Sequence, residues 1–524
     1  MKQTLTQSMA WLHTWGGLVF GWLLFAIFLT GTLAVFDKEL DLWMRPEVPA
    51  QKVEQSQALQ RALEYLQAKH PQAERWNISL PSERSPTLGV SAGNQRRGGG
   101  ELLNPQTGEP LAVRETAGGG FFFRFHFTLN MPRTLGIWLV GLAAMAMLVA
   151  LVSGIVIHKK IFKEFFTFRP GKGQRSWLDG HNASAVLLLP FHLMITYTGL
   201  VIFLLIYMPA AVDALYGDRE AFGRALRGAP VEQQAGRGGE QGARHERAER
   251  PRAAPAPLAA LGPLLAEAEQ QMGPLAGLSI DHPGRSDARI EVRPILGNRI
   301  ELTKGRSMLF DGVNGAVLRA PAESRPSQLT QRVMAGLHFA QFGGYPMRWL
   351  YFLCGLVSSA MIASGLVLFC VKRRRKYASE APAARRVSHL IEALNLAAVA
   401  GLSLACIGLL WANRLLPVEL AQRAAWEVNA FFAVWLLSLL HALWRPTLRG
   451  WGEQLGLSAL LCMALPLLSL LTLPEPWAQP LHQALELTSL ALGMALAGLA
   501  WRVYRRQEAA PPLPRRGAVM QEAL

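Results

Sequence analysis

The sequence is short of charge. Asp, Glu, Lys and Arg make up 17% of its 524 residues, where a soluble globular chain carries about 25%. That shortage argues against a string of soluble domains, which length alone would allow. A hydrophobic content of 51% argues equally against disorder over most of the chain. Cysteine is scarce as well. Cys354, Cys370, Cys406 and Cys462 all lie inside apolar stretches, where they read as small core residues. A disulfide scaffold is thereby excluded, and no zinc-type cysteine spacing occurs. No Gly-x-Gly-x-x-Gly follows a strand pattern, and no cysteine run suits an iron–sulfur cluster.

Long apolar runs are what the chain has. They fall at about 12–36, 133–157, 182–208, 347–371, 390–412, 427–444, 454–473 and 484–501. A run of roughly 18 apolar residues or more is long enough to span a bilayer. The first is too long for a signal peptide and no small-residue cleavage site follows it, so it reads as a retained helix. Lys and Arg gather in alternate loops, which by the positive-inside rule makes those loops cytoplasmic. The segments 1–12, 158–178, 371–388, 443–454 and 501–524 carry 21 Lys and Arg against 5 Asp and Glu, a difference equal to the whole net charge of +16. The basic surplus therefore reads as membrane orientation, and no nucleic-acid partner is expected. Both termini are expected in the cytoplasm.

The expected fold is mainly α and polytopic. About eight transmembrane helices carry two small α+β outer units, inserted in a first four-helix repeat module. The spans are 1–36, 133–157, 179–208 and 347–371, then four more within 390–501. Basic loops at 158–178 and 372–389 and a tail at 502–524 are expected on the cytoplasmic side. The outer units are 37–132 and 209–346. Each has a helix-like stretch, ALQRALEYLQAKHP from Ala58 or LAALGPLLAEAEQQMG from Leu258. Each then has strand-like pieces, ending in LLNPQTGEPL from Leu102 or LFDGVNGAVL from Leu309. A Gly/Ala/Arg/Glu stretch at about 218–256 reads as a disordered insert.

The strongest signal is repetition. His13 stands 17 residues before Thr30-Gly31, and His181 stands 17 before Thr198-Gly199. His126 stands 27 residues before Ser153-Gly154, and His338 stands 26 before Ser364-Gly365. The Thr-Gly and Ser-Gly pairs read as small residues that let neighbouring helices approach. The histidines read differently, because an ionisable group in a membrane is costly and usually functional. Their register puts His13 and His181 at one depth near the cytoplasmic face, and His126 and His338 at one depth near the outer face. Neutral imidazole is a good iron ligand, and haem in helix bundles is held by His on facing helices. Two such pairs suit two haems stacked across a bilayer. His192 lies three helical turns past His181 on the same face, placed to ligate a haem or bridge the gap. His158 is an alternative partner at the inner face. His389, His441 and His482 lack the register and read as interfacial or packing residues. The cluster FFFRFHFTLN from Phe121 surrounds His126 with aromatics, and Arg124 and Arg133 flank it with positive charge.

Three stretches carry a family resemblance: LHTWGGLVFGWLLFAIFLTGTLAVF from Leu12, SGIVIHKKIFKEFFTFRPGKGQRSWLDGHNAS from Ser153 and DGHNASAVLLLPFHLMITYTGL from Asp179. With the two outer units, over roughly 8–376, the chain resembles the PepSY-associated transmembrane proteins. These include iron-regulated inner-membrane proteins and ferric-siderophore reductases of Gram-negative bacteria. The resemblance implies a multi-pass inner-membrane protein that binds haem b through His13, His126, His181 and His338, with His158 and His192 in the subgroup's motifs. It implies electron transfer outward to a periplasmic ferric siderophore, fed by quinol or by a separate cytoplasmic reductase, with membrane lipids around it. Two rival readings are a PepSY protein that binds or regulates a periplasmic partner without catalysis, and a transporter. Spans five to eight lie outside the resemblance.

Overall fold

A computed structural model describes residues 4–49, 53–93, 100–158, 169, 171, 173–217, 253–297, 299–303, 305–321, 323–374, 381–475 and 479–508. Most of the expected disordered insert, most of the first basic loop and the end of the tail lie outside the described residues.

Helix α1 (Leu5–Ala34) opens on a capping box, in which Thr4 Oγ1 accepts from the Gln7 N–H and the Gln7 side chain accepts from the Thr4 N–H. The other long apolar helices are α5 (Arg133–Ile157), α10 (Gly344–Arg373), α11 (Pro382–Leu415), α12 (Arg423–Trp444) and α15 (Pro480–Glu508). Two bent pairs complete the set, α6 (Gln174–Leu187) with α7 (Leu189–Ile202) and α13 (Leu448–Met463) with α14 (Leu465–Thr472). They bend by 65° and 43°. Pro190 and Pro466 stand in the first turn after each break, where a missing N–H costs nothing to the new helix but would interrupt a continuous one. Among the described residues, six helices are long and apolar enough to cross a membrane, or eight if each bent pair is one span. The chain is a multi-pass membrane protein. Helix α11 contains a π-helical stretch at Ala397–Gly401.

Outside the spans lie α2 (Asp37–Trp43), α3 (Gln55–Lys69), α4 (Gly120–Thr128), α8 (Leu261–Met272) and α9 (Pro326–Phe339). Seven strands accompany them: β1 (Arg75–Ser79), β2 (Leu88–Ala92), β3 (Glu101–Leu103), β4 (Leu275–Asp281), β5 (Arg289–Pro294), β6 (Met308–Asp311) and β7 (Val317–Arg319). Each half repeats the order helix, then antiparallel strands. The two expected units do not stay separate, however. All seven strands form one antiparallel sheet in the order β3-β2-β1-β4-β5-β6-β7. The join is β1 against β4, with Trp76 opposite Ile280 and Ile78 opposite Leu278. Without it, each unit would expose an edge strand with unpaired backbone groups. Alternate residues on this sheet, including Ile78, Leu278, Ile290 and Phe310, share one core with Leu66 of α3 and Leu264 of α8.

The two edge turns are built alike. Asn104 Oδ1 accepts from the Gln106 and Thr107 N–H groups, and Asp311 Oδ1 accepts from Val313 and Asn314. Gly108 and Gly315 follow with φ of 77° and 76°, a left-handed conformation that glycine adopts without strain. The same backbone N–H groups hold the Asp311 carboxyl below its ordinary range.

The join between the halves is open to test. Leu278→Ala removes a fully buried side chain and should cost about 2–5 kcal/mol. Hydrogen exchange should then quicken in β1 as well as β4. Protection of β1 that stays at the wild-type level would show that the two halves are held separately.

Candidate functional site

In the spanning module α1 packs on α5, α10 and α4, α6 packs on α10, and α7 packs on α5 and α9. These contacts gather the repeated histidines in pairs. His13 on α1 meets His181 on α6, with ring centroids 6.2 Å apart and planes at 72°. His126 on α4 meets His338 on α9, with centroids 6.0 Å apart and planes at 36°. The pair on the sheet-bearing side, called the outer pair below, is delivered by the same local device twice. Helix α4 ends at Leu129 and Asn130 with φ of 51° and 56°, and α9 ends at Ala340 with φ of 50°. The left-handed residues reverse the chain, so each short helix turns its histidine toward the bundle before the next span begins.

Each ring is seated by one repeated contact. His13 Nδ1 lies 2.9 Å from the Ala150 carbonyl, His126 Nδ1 2.7 Å from Ile27, His181 Nδ1 2.9 Å from Met361 and His338 Nδ1 3.0 Å from Ile195. Every one of these carbonyls lies four residues before a repeat glycine: Gly154, Gly31, Gly365 and Gly199. A Cβ at the glycine would meet the ring. It would lie 2.5 Å from His126 Nδ1 at Gly31, 2.9 Å from His338 Cε1 at Gly199, 3.1 Å from His181 Cε1 at Gly365 and 3.3 Å from His13 Cε1 at Gly154. Three of the four hydroxyls before the glycines join in. Ser153 Oγ is 3.2 Å from His13 Nδ1, Thr198 Oγ1 3.1 Å from His338 Nδ1 and Ser364 Oγ 3.5 Å from His181 Nδ1. Thr30 Oγ1 bonds the Ala26 and Ile27 carbonyls instead. The Thr-Gly and Ser-Gly pairs, read from sequence as general helix packing, are therefore the seats of the four histidines. Helix approach alone does not explain a missing Cβ in front of an imidazole.

A carbonyl only accepts, so each Nδ1 carries the proton and each Nε2 keeps its lone pair. Among the described residues, none of the four Nε2 atoms meets a hydrogen-bond partner. A carbonyl on the far ring nitrogen is the usual support of a metal-ligating histidine. His13 with His181, and His126 with His338, could each hold one metal-centred group through their ring nitrogens.

Residues 10–372 match the PepSY-associated TM region family. The chain belongs to that family. The match covers more than two thirds of the chain and ends within α10, so α11 to α15 lie outside it. No curated protein matches the chain.

Within the PepSY-associated module the two pairs stand far apart. The seat of His126 at Ile27 and Gly31 lies 14 to 18 residues beyond His13 on α1, about 24 Å along the helix. His192 joins neither pair. It is fully buried on α7, with Nε2 2.9 Å from Ser358 Oγ and its ring 6.4 Å from Phe28. Those neighbours put it between the pairs. A bend of 65° interrupts the helix between His181 and His192. His158 is the half-exposed C-cap of α5 and also joins neither pair. Arg124 and Arg133 are exposed beside the outer pair, with the Arg133 guanidinium 5.6 Å from the Phe127 ring. Phe121 and Phe125 turn away from this surface, onto Phe431 of α12.

Sequence reasoning missed the carbonyls of the seats, although their signal was present as a glycine at fixed spacing from each histidine. It also missed the buried charges Arg414, Arg423 and Glu427 at the ends of α11 and α12, whose signal was their place beside apolar runs. The seats predict a tautomer. In haem-free protein labelled with 15N-histidine, four imidazoles should resonate as Nδ1-protonated rings. Free exchange between tautomers at these four would count against the seats.

Proposed function

We propose that the chain is a membrane reductase that binds two b-type haems, one at each histidine pair, and passes electrons across a bacterial inner membrane. The observation that carries this reading is the two facing imidazole pairs, each ring anchored through Nδ1 with no partner at Nε2 among the described residues. The electron acceptor is a ferric siderophore or another ferric complex on the sheet-bearing side, taken as the periplasmic face because the basic loops lie opposite. The donor is quinol or a separate reductase on the cytoplasmic side.

Bound haem supplies the one-electron carrier, and its redox chemistry is its own. The chain's residues hold and insulate it. The Nδ1–carbonyl bonds fix the ring planes and raise the basicity of Nε2. The glycines let the rings reach those carbonyls, and Ser153, Thr198 and Ser364 steady the Nδ1 side. The apolar helices around the pairs exclude water, which helps set the potential. Arg124 and Arg133 supply positive charge beside the outer pair for an anionic ferric complex. The reduction adds one electron to Fe(III). The Fe(II) formed is held far less tightly by hard oxygen donors and is released.

An absorption spectrum of the purified protein tests the proposal. Reduced b-type bands are expected, with His126→Ala or His338→Ala losing one haem and His13→Ala or His181→Ala losing the other, about half the haem in each case. Protein that stays colourless after purification from haem-replete cells would sink the reductase reading and favour a PepSY protein that binds a periplasmic partner. Alanine at the glycines should act in the order of their contacts: Gly31→Ala and Gly199→Ala should reduce outer-haem occupancy more than Gly365→Ala and Gly154→Ala reduce inner-haem occupancy. Equal losses at all four would argue against direct contact as the cause.

A further inference from the structure

Helices α11 to α15 lie outside the family match, yet they meet the PepSY-associated module at a charged contact. Arg423 and Glu427 on α12 are both 0% exposed and form an ion pair. Buried charge is expensive, and apolar residues of similar volume often serve stability as well or better. Its neighbours show what it holds. Glu427 Oε2 accepts from Thr116 Oγ1 at 2.7 Å and from the Ala117 N–H at 2.8 Å. Asn413 Nδ2 donates to Thr116 Oγ1 at 3.1 Å and to Glu427 Oε1 at 2.8 Å. Arg423 Nη1 donates to the Glu115 carbonyl at 3.0 Å, and the Arg423 backbone N–H donates to Glu115 Oε2 at 3.1 Å. The Gly118 N–H closes back on Thr116 Oγ1 at 3.1 Å.

Apart from the Asn413–Glu427 bond and the ion pair, these bonds converge on the strap 115–118, which runs straight into α4. At Gly119 a Cβ would lie 1.9 Å from the Asp37 carbonyl, so the strap is also wedged from its other side. Helix α4 then lays Phe121 on Phe431 at 4.9 Å and Phe125 on Phe431 at 5.6 Å. With that face held by α12, the next residue, His126, is turned toward Ile27 on α1.

We infer that Glu427, with Arg423 and Asn413, is a positioning residue for His126. The C-terminal spans fix the roll and depth of α4 and thereby the separation of the outer histidine pair. The inference rests on the proposed role of His126 as a ligand, but the geometry it asserts exists without haem.

The test uses the full chain. Thr116→Val keeps the side-chain shape, removes the hydroxyl at the centre of the strap and leaves the Arg423–Glu427 pair intact. Glu427→Gln is the stronger perturbation, and Thr116→Ser is the conservative rescue. Spin labels at Arg124→Cys on α4 and Leu329→Cys on α9 report the distance between the two helices in haem-free protein. Thr116→Val and Glu427→Gln should shift that distance and broaden its distribution, and Thr116→Ser should restore it. In haem-loaded protein, one low-spin haem signal should move while the other keeps its position. A distance distribution unchanged in folded Thr116→Val protein would overturn the inference, even if Glu427→Gln fails to fold. Wild-type protein that takes up no haem would overturn the proposed function instead, and the label distances would still decide this inference.

Discussion

The hydrogen bond from an imidazole Nδ1 to a helix carbonyl is the contact on which the spanning module depends. A carbonyl inside a helix already accepts the N–H four residues on, and its second lone pair lies in the groove beside that residue's Cβ. Glycine at that position opens the groove. In the membrane no water is available to satisfy a ring proton, so the seat meets a need that a surface histidine does not have. Each seat ties an element carrying a histidine to the helix facing it: α1 to α5, α4 to α1, α6 to α10 and α9 to α7. Four equivalent contacts therefore set both the free nitrogen of each ring and the relative placement of the bundle.

The outer sheet and the C-terminal spans serve the same arrangement from outside the bundle. Pairing of β1 with β4 joins the two repeats in one sheet, so the chain segments leading to α4 and α9 start from a common support. The strap at Thr116 then gives α4 a second anchor on α12. The corresponding helix α9 is held from the sheet side, where Gly336 packs on the Ile300 carbonyl and the Arg332 carbonyl accepts from the Leu302 N–H. The two outer histidines thus reach one depth by unlike supports, and only one of the supports lies beyond the family's own region.

Several features were legible in the residues. The 17-residue spacing of His13 and His181 from their Thr-Gly pairs, with the 27- and 26-residue spacings of the other two, paired the histidines by depth. The structure brings together those same two pairs. The turns at Asn104 and Asp311 were visible from the glycine four positions on, because a left-handed turn needs one. Other features were misread for identifiable reasons. Thr30-Gly31 and its three counterparts looked like helix-packing residues, since a linear pattern does not say which side chain comes to rest in the notch. The outer units looked separate because the β1–β4 pairing joins residues about 200 positions apart.

The sequence by itself determined where the long apolar segments lie, which loops carry the basic charge, and which of the repeated histidines pair. Those quantities depend on composition and on residue spacing along the helices, where each residue advances the chain by about 1.5 Å. Only the tertiary structure decided what each histidine touches, that two outer repeats share a sheet, and that Glu427 grips the strap before α4. These depend on azimuth and on contacts between segments distant in the chain, which bends, edge pairing and packing set after the spans are in place.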